Sequence, residues 1–531
     1  MLSLVSLRLL LLLVPVYLGV SAQDQPQSVF VESSVGSRCC DALRDKLPSL
    51  VFARGTPEYD LRQATYYSLQ QQELSPICTV RPNSASDVSS VVKIAKANQC
   101  PFAVASGGHM SWKGSSNIDG GFVIDLRGMT QIDISVEDQA VKLGPGSLWQ
   151  EVYKVMAPYN VSTAGGRINA VGVGGFLLGG ESLSPRILLS SLLSQCKGGI
   201  AFGSVDTGFG GDSVFNYEVV LSDGRIVDAN KDTNPDLFWA LKLAGTNYGI
   251  VTRFDMRTFH SPSIWGAVSV YPFTNPTSSG LLTNFAQYVH NEQNRKDFKA
   301  VVFNYNNGMD LTMSVQVNLD SAPLDNMTSA SPIMHLEKVG TTHDVVDEVI
   351  AHALESTART TWFTFTTKVA PDFFMDMHGI AQSLFEPLKD REGLTTTLSF
   401  QSFQKSYIEG AAHSPIYNVL KQSNDDLICI LILVTWTDPA DEPAIKEATN
   451  TLGAWGEAEA RRRGLLNDFV YLNYANGGQR VYERSVTPED LDKMREIQKK
   501  YDPSATFENL WRGGYKLPKK GSNRATGHDE L

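Results

Sequence analysis

The sequence predicts a fold of mixed helices and strands in two or three domains, and three observations carry that reading. The chain has 531 residues, 42% hydrophobic and 19% charged, too long for one domain of roughly 150 residues and far from the composition of disordered chains. From about Thr79, helix-period and strand-period segments alternate. Between 261 and 465 the pattern changes to alternating strand candidates with helical stretches between them. The 46 basic and 57 acidic side chains leave a net charge of −11, which argues against a general nucleic-acid binder.

Residues 1–22 carry Arg8 ahead of the apolar run Leu9–Val20, then the small residues Ser21 and Ala22. The run is shorter than the roughly 20 residues of a membrane-spanning helix. A secretory signal peptide is therefore expected, with no transmembrane segment in the mature chain. Residues 23–73 read as a helical lead-in, with Leu43, Leu47 and Leu50 at helical spacing.

Ser86–Asn98 sets Val88, Val91, Val92 and Ala95 on one helix face, and Pro101–Ala105 and Gly121–Leu126 read as strands. Ser147 and Gln150 suggest a capping box for a helix through Met156. Tyr217–Leu221 and Arg225–Asp228 form a hairpin around Ser222-Asp-Gly. In 261–465 the strand candidates are Trp265–Val270, Asp310–Val317 and Thr361–Phe365, with Val345–Leu354 helical. Thr487 caps a last helix that has Pro488 at its start and Leu491, Met494 and Ile497 on one face.

Residues 518–531 are a polar tail ending in His528-Asp-Glu-Leu531. That ending is a retrieval address read by a receptor in the endoplasmic reticulum, so the expected location is the lumen, a reading compatible with some secretion. Cys39, Cys40, Cys78 and Cys100 crowd near the start, as suits an oxidising compartment. Two disulfides among them are expected. A vicinal Cys39–Cys40 bridge is disfavoured by disulfide geometry, the two other connectivities are not ranked by sequence, and Cys429 is left free. No CxxC pair or neighbouring histidine supports a metal site. Asn160 and Asn326 lie in glycosylation acceptor triplets.

Two glycine clusters carry the chemistry. Ser106-Gly107-Gly108-His109-Met110 directly follows a strand, where consecutive glycines let backbone N–H groups converge on an anion such as a pyrophosphate. Gly165, Gly166, Gly172, Gly174, Gly175, Gly179 and Gly180 form the second. A Rossmann fingerprint starting at Gly172 would need glycine where Leu177 stands. No phosphate-loop, nucleophile-elbow or zinc-protease signature occurs. What remains is a dinucleotide held by some other fold.

Val80-Arg-Pro82, Cys100–His109, Asn117-Ile-Asp-Gly-Gly and Ile124–Met129 resemble the FAD-binding domain of the vanillyl-alcohol-oxidase/PCMH flavoproteins. Gly172–Gly180, Asn234–Leu241 and Gly245–Phe254 continue the resemblance. Tyr471–Asn476, Tyr501-Asp-Pro503 and Gly513–Leu517 are similar to the berberine-bridge-enzyme C-terminal motif. The resemblance implies an α+β protein: a two-subdomain FAD-binding domain over 74–260 and a substrate domain over 261–465, whose antiparallel sheet is covered by helices. A C-terminal segment, 466–517, returns to the FAD domain.

The resemblance also implies the site. Ser106–Met110 would surround the FAD pyrophosphate, and His109 matches the histidine that many members attach to the flavin 8α-methyl. Ile168 stands where bicovalent members have cysteine, so His109 would be the single link. Gly172, Val173, Gly174, Gly175, Asn247, Gly249 and Ile250 would line the cofactor. Tyr471 matches a tyrosine that helps remove the substrate hydroxyl proton in several relatives, a pocket wall being the alternative role. Asn473 would orient substrate or flavin. Trp362, Phe363 and Phe365 are candidates for the substrate face, or plain core.

The implied function is an FAD-dependent oxidase that takes a hydride from a small-molecule secondary metabolite, with oxygen as acceptor and hydrogen peroxide as product. A carbohydrate or alcohol oxidase is the alternative. The chain departs from its family at 181–198, whose removal would restore Gly-Gly-Gly-Ile and which reads as a translated retained intron. If the segment, with its spare Cys196, is genuine, a non-catalytic flavin- or ligand-binding relic is the further alternative.

Overall fold

The computed structural model describes residues 34–179, 210–291, 296–306, 308–350 and 358–521. The expected signal peptide, the retrieval tetrapeptide and the segment 181–198 lie outside the described residues. No helix of the described residues is long and apolar enough to cross a membrane.

Three sheets make the frame. In the first, Cys78–Val80, Phe122–Asp125 and Phe102–Ala105 pair in parallel, each strand buried on both faces as such sheets require. The helix Ala85–Asn98 covers it with the expected stripe Val88, Val91, Val92 and Ala95, and Ser84 accepts from the Asp87 N–H at its start. The lead-in is not purely helical. Its helix Ser34–Lys46 stops before Leu47, and Val51–Ala53 adds an antiparallel edge strand against Cys78–Val80. Only Leu43 of the predicted leucine stripe is fully buried.

The second sheet is built on the long strand Ile250–His260, which pairs antiparallel with Ala140–Leu143 on one side and Val214–Val220 on the other. The predicted hairpin is present as Val214–Val220 against Ile226–Asn230. The expected Ser147–Gln150 capping box does not form; the N-cap is Leu148, whose side chain cannot cap, and only the reciprocal half of a box is made, by Glu151. Leu148 stays extended because the Trp149 N–H donates to Val171 O and Ser147 O accepts from the Val173 N–H. The helix Trp149–Met156 therefore starts later, and the Glu151 carboxylate accepts the Leu148 N–H at 3.0 Å.

The third sheet has eight antiparallel strands. Its centre runs from Asp297–Asn306 through Thr395–Phe403 and Leu427–Trp436 to Arg359–Lys368. Helices Asn275–Val289, Pro371–Phe385 and Glu442–Arg462 close one face over Leu281, Phe285, Phe374, Met377, Ile445 and Leu452. The other face looks back toward the first two sheets.

Cys39 pairs with Cys100 and Cys40 with Cys78, and Cys429 is a free, buried thiol. Adjacent cysteines on one helix thus staple the lead-in to the first sheet at two points. The bridges close loops of sequence separation 61 and 38, each worth about 4 kcal/mol in the chain-entropy account. Non-reducing peptide mapping is expected to return the two peptide pairs Cys39–Cys100 and Cys40–Cys78. Replacing either pair with alanines should lower stability on that scale in denaturant unfolding.

Candidate functional site

The three sheets surround a cavity of about 770 Å3, within the usual range for small-molecule sites. One wall is the loop after Phe102–Ala105. Gly108 has φ +78°, which favours glycine, and its carbonyl accepts from the Tyr67 N–H at 3.1 Å. Gly107 lies against Gly172 so closely that a Cβ on it would sit 2.6 Å from Gly172 N. Ser106 Oγ donates to Pro145 O at 2.5 Å. These contacts bind the first sheet's loop to the second sheet's glycine segment.

Beneath the loop lies a buried charge cluster. Arg62 Nη1 donates to Ser106 O at 3.0 Å and lies 3.6 Å from Asp125, which also pairs with Arg81 and Arg127. Burial alone would raise the Asp125 carboxyl, but the Arg127 hydrogen bonds and the Arg62, Arg127 and Arg81 charges outweigh it and hold the group below its ordinary range. The cluster fixes the height of the loop through one carbonyl.

His109 turns its ring onto Tyr67, centroids 4.2 Å apart at 18°, with Trp362 at 6.3 Å. Burial pushes the imidazole down to about 4, so it is neutral above that pH and keeps a ring nitrogen lone pair, the form that acts as a nucleophile. Burial likewise pushes the Tyr67 phenol up to about 12. Trp362 comes from the third sheet, and Phe363 and Phe365, at odd offsets along the same strand, face the helices, where they pack against Gly453 and Gly456. The aromatic strand therefore divides: Trp362 lines the cavity, and the two phenylalanines are core.

The C-terminal segment closes the wall. Tyr471 and Asn473 line the cavity, and Asn473 Nδ2 donates to Phe176 O at 3.1 Å and to the Tyr471 hydroxyl at 3.2 Å. Of the residues expected from sequence, Ser106, Gly107, Gly108, His109, Met110, Gly172, Gly174, Gly175 and Ile250 also meet there. Val173, Asn247 and Gly249 stand behind the wall. Val173 is core. Asn247 Nδ2 donates to Ala244 O, the Tyr482 hydroxyl and Tyr515 O, and its Oδ1 accepts the Leu517 N–H, tying the C-terminal segment down. Gly249 packs on Val219 and Val220.

Sequence reasoning passed over Tyr67, Arg167, Gln401 and Tyr474, all of which line the cavity. Tyr474 sat in the same short motif as Tyr471, whereas Gln401 and Tyr67 had no local signal. No Asp, Glu or Lys lines the cavity among the described residues, so the titratable groups of the wall other than Arg167 are phenols and the His109 imidazole rather than a carboxylate. The buried thiol of Cys429 is pushed up to about 12 and lies outside the wall.

Residues 76–191 match a family model described as an FAD binding domain. The FAD-dependent monooxygenase drtC of Aspergillus calidoustus is 30% identical over 498 residues, covering 91% of each chain. The chain belongs to the FAD-dependent oxidoreductases that carry this domain. Its fold superposes on berberine bridge enzyme from Eschscholzia californica with TM-score 0.69 at 14% identity, covering 88% of this chain and 97% of that one. Glucooligosaccharide oxidase from Acremonium strictum gives TM-score 0.66 at 18% identity, over 89% and 98%.

The residues of this FAD-linked oxidoreductase fit the cofactor. A Cβ on Gly175 would meet nothing within 4 Å, so the glycine leaves open space beside the wall. The buried Trp511 indole N–H lines the same cavity with no hydrogen-bond partner among the described residues, a donor for a polar ligand. Bound FAD would supply a two-electron hydride acceptor. Ser106–Met110 and Gly172–Gly175 would hold it, and His109 stands within reach of the substrate sheet.

Two expectations follow from the geometry. Gly107→Ala should cost about 1–3 kcal/mol, as overpacking does, and reduce flavin content. Gly379→Ala, in an exposed helix position with nothing within 4 Å, should be neutral or stabilising by up to about 1 kcal/mol; thermal unfolding and absorbance compare the pair. Asp125→Asn should cost about 3–5 kcal/mol by leaving buried guanidinium charge uncompensated. Because the folded carboxyl titrates below its ordinary pKa, its contribution is present above about pH 4 and is lost as pH falls through the folded value. The Asp125→Asn deficit in melting temperature should therefore shrink in acid.

Proposed function

We propose that this oxidoreductase takes a hydride from a C–H bond of a small secondary metabolite and passes the electrons to oxygen. The carrying observation is His109, a neutral imidazole at the junction between the glycine loops and the antiparallel sheet, packed on Tyr67 and facing Trp362. The substrate would lie between the third sheet and the flavin. Tyr471, held by Asn473, is the group placed to help remove the substrate proton.

We further infer one covalent flavin link, through His109. The Acremonium strictum oxidase carries a 6-S-cysteinyl, 8α-N1-histidyl FAD; here Ile168 lines the cavity instead of cysteine. In an oxidase reaction the substrate loses two electrons and two protons, and O2 leaves as hydrogen peroxide. The monooxygenase name of the Aspergillus relative favours a second reading: one oxygen atom enters the product, the other leaves as water, and an added reductant such as a nicotinamide supplies two electrons. Delivery to the endoplasmic reticulum lumen with retrieval by the C-terminal tetrapeptide belongs to the same proposal, supported by the two disulfides and the exposed Asn160 and Asn326.

Purified protein is expected to absorb near 450 nm, keep its flavin after acid denaturation and place it on the His109 peptide in mass spectrometry. His109→Ala should release all flavin on denaturation. Full release from the wild type would sink the covalent link. Turnover under 18O2 separates the two oxygen readings: peroxide matching substrate with no label in product marks the oxidase, label in product the monooxygenase.

A further inference from the structure

We propose that Arg167 is the substrate-anchoring residue of the cavity and that the substrate class is an apolar skeleton bearing a carboxylate. The inference rests on reading the cavity as a flavin and substrate site, and adds the charge that its substrate carries.

Arg167 lines the cavity directly after Gly165 and Gly166. Its partners among the described residues are all neutral. Nη2 donates to Gln401 Oε1 and, at 3.2 Å, to the Tyr474 hydroxyl, and the guanidinium carbon lies 4.8 Å above the Phe298 ring. None of these bonds uses Nη1 or Nε, so a planar fork of donors is left for a ligand. The third sheet's wall of the cavity mixes Ala300, Val302, Leu431 and Leu433 with the neutral polar Thr397 and Ser399, and none of these offers a counter-charge.

A partly buried cation with no anion beside it is costly, because desolvation is repaid only by a partner. Several such groups elsewhere are paired, Arg62 with Asp125, Arg359 with Glu73 and Glu442 and Lys242 with Asp212, while Lys516 donates to the carbonyls of Thr246 and Phe507 instead. In a protein of net charge −11, an arginine on a cavity wall that carries no carboxylate among the described residues is a site awaiting one. A carboxylate suits the guanidinium fork better than a hydroxyl, because two parallel charge-assisted bonds can form. Gln401 keeps the cation placed without neutralising it: its Oε1 accepts from both Arg167 and Tyr474, and its Nε2 donates to Ser399 Oγ at 3.1 Å.

Arg167 also orders the proton-handling side of the wall. Burial raises the Tyr474 phenol, and the Arg167 charge pulls against it. Tyr474 packs edge-on against Trp362 and Tyr471, with centroids 6.1 and 4.8 Å away. A carboxylate on Arg167 would therefore place the rest of the substrate against Trp362, on the side where His109 stands.

The test titrates holoenzyme with 2-naphthoate and with 2-naphthamide, which share a skeleton and differ in charge, and follows binding by calorimetry. Wild type should prefer naphthoate by about tenfold or more. Arg167→Met should bring the two probes within about twofold, and Gln401→Glu, which gives the guanidinium an internal carboxylate, should do the same while preserving side-chain size. Equal binding of the probes by wild type, binding of neither, or a preference that survives in both variants overturns the proposal. Flavin absorbance and melting temperature of the same samples report on folding and on the flavin reading. A flavin-loaded wild type without preference refutes the anion site alone, whereas a flavin-free protein refutes the functional reading.

Discussion

Gly107, in the loop that leaves the first sheet, and Gly172, at the start of a helix beside the second, bring their backbones together with no room for a Cβ between them. The cavity depends on that approach. Gly107 follows the parallel strand Phe102–Ala105, and Gly172 opens the short helix Val173–Leu177 that packs under the second sheet's core. The contact sets the two halves of the cofactor wall at a fixed separation, and the Ser106 bond to Pro145 O reinforces it. A single methyl at either glycine would have to move a whole loop, because its nearest neighbours are backbone atoms.

The rest of the molecule serves to hold that junction in register. From below, Arg62 reads one carbonyl of the loop while Asp125 gathers three guanidinium groups around it. From the side, two disulfides pin the lead-in helix to Cys78 in one strand of the first sheet and to Cys100, just ahead of the strand that runs into the loop. From the far end of the chain, the C-terminal segment returns through Asn247, which spends both ends of its amide on backbone and tyrosine partners. A side chain that would have made an acceptable cofactor contact is thus a clamp, which keeps Tyr471 and Asn473 on the wall.

The opposite wall obeys the period of the strand. Successive residues of Arg359–Lys368 face the cavity and the helices in turn, which sends Trp362 to His109 and Phe363 and Phe365 to Gly453 and Gly456. Helix glycines at those positions admit the aromatic rings. Alternation along Thr395–Phe403 turns Thr397, Ser399 and Gln401 to the cavity, where Gln401 meets Arg167 and Tyr474, which reach it from segments outside the sheet.

Local chemistry determined much of this protein in advance. The glycine run after a strand, the histidine that follows it, the four clustered cysteines, the helix caps at Ser84 and Thr487 and the hairpin at Ser222-Asp-Gly are all written in adjacent residues, where propensity and turn chemistry act. Which cysteine pairs with which, whether Asn247 faces ligand or protein, and that Leu148 rather than Ser147 begins its helix were decided by segments far apart in the chain. The Leu148 start, for example, follows from hydrogen bonds between residues 147–149 and 171–173. Arg167, Gln401 and Tyr67 escaped the sequence for the same reason. Each is unremarkable beside its chain neighbours and gains its chemistry only where three sheets meet, because a cavity is a relation between distant segments that no local pattern encodes.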